Sequence, residues 1–148
     1  MRVKDTMTPD VRTIASGATL REAARAMADT DVGALPVADG DRLIGMITDR
    51  DIAIRGVAAG KGPDVTVGEV MSPKVLYCFD DEDVIDVAEN MSDQQVRRLP
   101  VLNREKRLIG IVSLADIAGA RTAEAGEALE GITRPGGAHS QSVTDRLT

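Results

Sequence analysis

The chain has 148 residues, 43% of them hydrophobic, and a formal net charge of -6. That apolar content suffices for one compact domain or two very small ones, while the acidic balance argues against a nucleic-acid footprint, which needs clustered Lys and Arg. Aromatic residues make up 1% of the chain, just Tyr77 and Phe79, so there is no stacking ladder of the kind that binds single-stranded nucleic acid.

Met1 is followed by Arg2, Lys4 and Asp5 with no apolar signal-like run, and no stretch approaches the roughly 18 apolar residues of a membrane span. The expectation is a cytoplasmic protein without a membrane partner. A short strand is expected near Val11 to Ile14. Leu20, Ala23, Ala24 and Met27 then fall at i, i+3, i+4 and i+7, the pattern of one helix face, and Thr19 with Glu22 forms a capping-box start. Apolar runs at Ala34 to Ala38 and Leu43 to Ile47, joined by Asp39-Gly40-Asp41, read as paired strands, and a second helix begins at Thr48. After the turn-rich Gly60-Lys61-Gly62-Pro63-Asp64 the series starts again. It predicts a strand near Val75 to Cys78 and a helix bearing Val84, Val87, Ala88 and Met91, with Asp83 and Asp86 as its capping pair. Strands at Leu99 to Leu102 and Leu108 to Val112 follow, joined by Asn103-Arg104-Glu105-Lys106, and a helix begins at Ser113. Residues 123 to 129 read as a fraying helix end, with disorder after it.

The second series repeats the first. Val3-Lys4-Asp5-Thr6-Met7-Thr8-Pro9 matches Val67-Gly68-Glu69-Val70-Met71-Ser72-Pro73 at an offset of 64, which also superposes the two helices and carries Leu35-Pro36-Val37 onto Leu99-Pro100-Val101. One inserted residue later, Arg42-Leu43-Ile44-Gly45-Met46-Ile47-Thr48 aligns with Arg107-Leu108-Ile109-Gly110-Ile111-Val112-Ser113, and Asp51-Ile52-Ala53 with Asp116-Ile117-Ala118. The expected organisation is a first unit over 1–60, a linker over 61–66, a second unit over 67–125 and a disordered tail over 126–148. Each unit is β-α-β-β-α and too small to bury both sheet faces alone, so two units packed about a pseudo-twofold axis are expected, an α/β (α+β) fold.

Classical catalytic groups are scarce. The single cysteine, Cys78, cannot close an intrachain disulfide and reads as a small buried apolar residue. The single histidine, His139, lies in the polar Gly/Pro/Ser stretch 134–142, so neither a Ser-His-Asp triad nor a His-based metal site is expected. Asp49 and Asp51 could form an acid pair for catalysis or metal binding, but Asp49 aligns with Leu114 and Arg50 with Ala115, so the duplication does not repeat that pair. What it repeats is Thr48 with Asp51 and Ser113 with Asp116. Each Ser/Thr-x-x-Asp can be a capping box; it can also supply a hydroxyl and a carboxylate to a ligand.

Two copies of Met-Ser/Thr-Pro, an amphipathic helix, Leu-Pro-Val and Leu-Ile-Gly-(Met/Ile)-(Ile/Val)-(Thr/Ser)-x-x-Asp-Ile resemble a pair of CBS domains, the regulatory unit called a Bateman module. The resemblance covers residues 3 to 118 and extends to stand-alone two-domain bacterial proteins, including the actinobacterial hypoxic-response type. It implies a non-enzymatic sensor that binds AMP, ADP, ATP, NAD or S-adenosylmethionine in clefts between the units and reports to a protein partner, as a homodimer. By resemblance, Thr48 and Ser113 help hold a phosphate and Asp51 and Asp116 accept from ribose hydroxyls, with no metal or catalytic cofactor. Adenine would lie between aliphatic side chains near Val11 or Val75.

Arg97-Arg98 precede Leu99-Pro100-Val101 in the slot where a kinase-regulating member of the family contacts phosphates, whereas the first repeat has Gly33-Ala34 there. The second copy is therefore better equipped for a phosphate unless Arg50 or Arg55 compensates. The alternatives are a solvated basic pair, and a ligand-free scaffold that works through its surface or tail.

Overall fold

The computed structural model, which describes residues 1–119 and 122–134, is an α+β chain. It runs through a 3-10 turn Val3–Asp5, strand β1 Thr8–Pro9, helix α1 Leu20–Thr30, and strands β2 Ala34–Asp39 and β3 Arg42–Thr48. A helical turn, α2 Asp49–Asp51, continues into a π-helical segment Ile52–Val57, followed by α3 Val67–Val70 and β4 Cys78–Phe79. Helix α4 Val84–Gln94, strands β5 Arg98–Leu102 and β6 Leu108–Ser113, and helices α5 Leu114–Ala118 and α6 Thr122–Thr133 complete the order.

Local chemistry sets these boundaries. Thr19 starts α1: its Oγ1 accepts from Glu22 N–H at 3.1 Å while the Glu22 carboxylate accepts from Thr19 N–H at 3.2 Å, so two otherwise orphaned donors are satisfied. The helix stops where Asp31 turns left-handed (φ 54°), and α4 stops the same way at Gln95 (φ 55°). The expected capping pair Asp83 and Asp86 does not form a box. Asp83 instead accepts from Ile85 N–H at 2.9 Å, a cap made by one side chain alone.

The chain divides into two compact units, and they do not coincide with the repeats. A central unit spans Arg12–Leu76; a terminal unit combines Met1–Val11 with the chain from Tyr77 onward. The opening segment of each repeat packs on the other repeat. In the terminal unit the sheet order is β1-β6-β5-β4, with Thr8 opposite Ile111 and Pro9 opposite Gly110. In the central unit Ser72 takes the equivalent edge: Met46 N–H donates to Ser72 O at 3.2 Å and Ser72 N–H to Met46 O at 2.9 Å.

The repeated glycine explains how these edges fit. A Cβ at Gly45 would lie 2.6 Å from Ser72 O, and one at Gly110 would lie 2.8 Å from Thr8 O and from Met7 Sδ. Both approaches are shorter than a side chain allows, so Leu-Ile-Gly carries glycine where the exchanged segment crosses. The same segments anchor themselves with apolar residues, Val3 in the terminal core and Val67 and Val70 in the central one. Residues 61–66 are likewise bonded into the central unit, with Leu20 N–H donating to Val65 O at 3.0 Å and Arg21 N–H to Pro63 O at 3.1 Å.

The paired strands lie within a residue of their expected spans. The strands expected at Val11 to Ile14 and Val75 to Cys78 are shorter: Ile14 alone pairs with Val37, and only Cys78–Phe79 pair with β5. The residues before them carry the chain from one unit into the other, which leaves them outside a ladder. Where a helix end is expected over 123–129, α6 runs to Thr133. Ala128 and Gly131 are buried, Gly131 meets Ser92 of α4, and Gln95 Nε2 donates to Gly131 O at 3.2 Å and Arg134 O at 2.9 Å. Residues 135–148, His139 among them, lie outside the described residues.

Candidate functional site

Each Ser/Thr-x-x-Asp sits where the last strand of a unit turns into a short helix, and both are complete capping boxes. Thr48 Oγ1 accepts from Asp51 N–H at 3.0 Å, and Asp51 Oδ2 accepts from Thr48 N–H at 3.0 Å. Ser113 Oγ accepts from Asp116 N–H at 3.1 Å, and Asp116 Oδ2 accepts from Ser113 N–H at 2.9 Å. All four residues are half-buried. Each box uses one carboxylate oxygen, so the cap and the ligand readings are compatible: the box orients the aspartate and its Oδ1 is left over.

The neighbouring strand is tied to each box by the same bond. Asp49 N–H donates to Gly33 O at 2.9 Å, and Leu114 N–H donates to Arg97 O at 2.8 Å. Gly33 and Arg97 therefore hold equivalent places, and Arg98 stands opposite Ser113 in the β5–β6 register as Ala34 stands opposite Thr48. Cross-strand partners share a sheet face, which brings Arg98 beside the box. Arg97 and Arg98 are exposed, and neither guanidinium has a hydrogen bond or ion pair among the described residues.

Contacts with the exchanged segments escaped sequence reasoning. The exchanged segment reaches both boxes: Thr6 Oγ1 donates to Asp116 O at 3.2 Å, and Arg55 Nη1 lies 3.4 Å from Val70 O and 3.5 Å from Met71 O. Arg55 also stands 4.0 Å from Asp51 Oδ1, so the spare oxygen of the central box faces a cation of its own chain. Asp49 fills the place that a side chain at position 33 would need, since a Cβ there would lie 3.0 Å from Asp49 Oδ2. Only the offset between Asp49 and Leu114 hinted at this.

Asp49 and Asp51 have separate tasks: Asp49 Oδ1 accepts from Arg50 N–H at 2.8 Å, and Asp51 serves the box. Among the described residues no group of three or more His, Cys, Asp or Glu side chains could hold a metal, and no helix is long and apolar enough to cross a membrane. Cys78 is buried in the terminal core, and its thiol is pushed up to about 12, by burial first and then by the charges of Glu82 and Asp80. It is a protonated core residue rather than a nucleophile or thiolate ligand.

The comparisons with known proteins agree with this architecture. The CBS domain family matches residues 3–56 and 67–123. The chain is 42% identical over 116 residues to the CBS domain-containing protein YhcV of Bacillus subtilis, covering 78% of this chain and 82% of that one. It is 44% identical over 117 residues to Hypoxic response protein 1 of Mycobacterium tuberculosis, covering 78% and 81%. Among solved structures, Hypoxic Response Protein I with two coordinated zinc ions superposes with a TM-score of 0.75 at 41% identity, covering 81% of this chain and 98% of that one. The CBS domain pair of MJ0100 in complex with 5'-methylthioadenosine and S-adenosyl-L-methionine gives 0.72 at 31% identity, covering 84% and 98%. CBSX2 in complex with AMP gives 0.70 at 25% identity, covering 82% and 96%. With its duplicated strand pair, its exchanged Met-Ser/Thr-Pro segments and its two Ser/Thr-x-x-Asp boxes, the chain belongs to the CBS-domain family as a tandem pair.

Proposed function

We propose that this chain is a non-enzymatic regulatory module that binds an adenosine-containing ligand at its Ser/Thr-x-x-Asp boxes and works as a homodimer. The observation that carries the reading is Asp116: its carboxylate is half-buried and held by the Ser113 box, with Oδ1 free of any partner among the described residues and two unpaired arginines on the adjoining strand. An oriented carboxylate oxygen suits the hydroxyls of a ribose, and guanidinium groups suit a phosphate. The complexes of MJ0100 and CBSX2 support the ligand class.

Calorimetry of the full chain against AMP, ADP, ATP, NAD and S-adenosylmethionine tests the proposal. Binding of at least one at sub-millimolar concentration is expected, and no binding by any of them overturns it. Light scattering reports the oligomeric state, with twice the chain mass expected.

A second reading, a ligand-free scaffold, draws on Gly33 and Ala34, which stand in the central unit where the terminal unit has Arg97 and Arg98. Asp116→Asn separates the two readings, because it keeps an acceptor for Ser113 N–H but removes the charge. Loss of nucleotide binding with an unchanged fold rejects the scaffold.

A further inference from the structure

The two boxes are built alike and surrounded differently. Beside the terminal box stand two unpaired cations, Arg97 and Arg98, and Leu114 follows Ser113. Beside the central box every one of these features is reversed. Gly33 and Ala34 bring no charge, Asp49 places a carboxylate where a longer side chain at 33 would lie, and Asp49 Oδ1 takes Arg50 N–H at 2.8 Å. Arg55, which stands beside the central box, already faces Asp51 Oδ1 at 4.0 Å and the carbonyls of Val70 and Met71.

We infer that the two copies have diverged in the charge of the ligand they accept: the Ser113–Asp116 box takes a phosphorylated adenosine, and the Thr48–Asp51 box takes a phosphate-free one. This rests on the proposal that the boxes bind adenosine compounds. A phosphate approaching the central box meets the Asp49 carboxylate and an amide already satisfied by it, whereas at the terminal box it meets two free guanidinium groups. The ribose end needs only the oriented aspartate, which both boxes present.

Titration of the full chain with AMP and with adenosine, followed by calorimetry at low and high salt, tests the inference. The expected result is one strong AMP site per chain that weakens with salt, as exposed charge pairs do, and adenosine binding at the central box that does not. Arg97→Gly combined with Arg98→Ala, which copies the central unit, should weaken AMP at least tenfold and leave adenosine bound. Asp116→Asn should remove AMP and Asp51→Asn should remove adenosine from the central box, with circular dichroism confirming the fold of each variant. Asp49→Leu, which copies the terminal unit, should strengthen AMP at the central box. Two AMP sites of equal affinity, or loss of AMP from Asp51→Asn rather than Asp116→Asn, overturns the divergence while leaving adenosine binding intact. Failure of both compounds to bind overturns the divergence and the proposed function together.

Discussion

Ala24 and Ala88 occupy the same place in the two repeats, yet Ala24 is exposed and Ala88 is 2% exposed. The difference is α6. It lies along α4, where Ala128 and Gly131 allow close approach over Ile85, Ala88 and Ser92, and no part of the central unit covers α1 in that way. The α1 face carries Arg21, Ala24, Arg25 and Ala28 instead, suited to water. Two helices with one hydrophobic pattern thus bury different sets: Leu20, Ala23, Ala26 and Met27 in α1, but Val84, Val87, Ala88 and Met91 in α4. A repeat specifies the face that meets its own sheet; a segment outside the repeat decides how far around the helix burial extends.

Substitutions at paired positions can break or sharpen this comparison. The largest effect is expected from Leu35→Ala and Leu99→Ala, twin core residues each 1% exposed. Each should cost about 2–5 kcal/mol in urea unfolding, and a large gap between the two would mean that the cores are not equivalent. Next come Gly45→Ala and Gly110→Ala, which push a methyl against the exchanged segments and should cost about 1–3 kcal/mol each. Gly131→Ala should cost a similar ~1–3 kcal/mol while acting on one unit only: faster amide exchange is expected in α6 and α4, with the central unit unchanged. Thr48→Ala and Ser113→Ala remove one capping oxygen each and should cost about 1 kcal/mol. Matching losses would confirm that the boxes are structurally interchangeable.

The smallest effect belongs to a feature the central unit lacks. Arg104 grips Asp81 with two bonds, Nε to Oδ2 at 2.8 Å and Nη2 to Oδ1 at 2.7 Å, and stacks 4.1 Å above Phe79, whereas position 17 of the first repeat is glycine. The bond from Arg104 holds the Asp81 carboxyl below its ordinary value of 3.8. A lowered carboxyl adds stability above its unfolded pKa that disappears as pH falls through the folded one. Arg104→Ala should therefore flatten the acid limb of the stability curve slightly below about pH 4, and high salt should imitate it because the pair is exposed.

Much of this architecture was legible from spacing. Thr19 with Glu22, Leu35-Pro36-Val37, and the doubled Leu-Ile-Gly strands placed the helices and hairpins, because capping and alternation are local. The box residues Thr48, Asp51, Ser113 and Asp116 were legible because duplication filtered out Asp49 and Arg50. The partner of each Met-Ser/Thr-Pro segment was not legible. A repeat states which pieces are alike, but Thr8 opposite Ile111 and Ser72 opposite Met46 depend on contacts distant in the chain. Thr6 beside Asp116 and Gly131 against Ser92 escaped for the same reason, whereas Arg55, four residues from Asp51, was within reach of local reasoning.

The exchanged segments impose a timetable on synthesis. The central unit is one continuous stretch ending at Leu76, so every strand and helix it needs is present once that residue has emerged. The terminal unit is different: Thr8 must wait for Ile111, and Val3, buried in the finished core, is made before the central unit and finds its place after it. Domains made of contiguous chain close early, and contacts distant in sequence close slowly. The central unit is thus expected to form first, with the amino-terminal eleven residues held over until the carboxy-terminal half arrives to receive them.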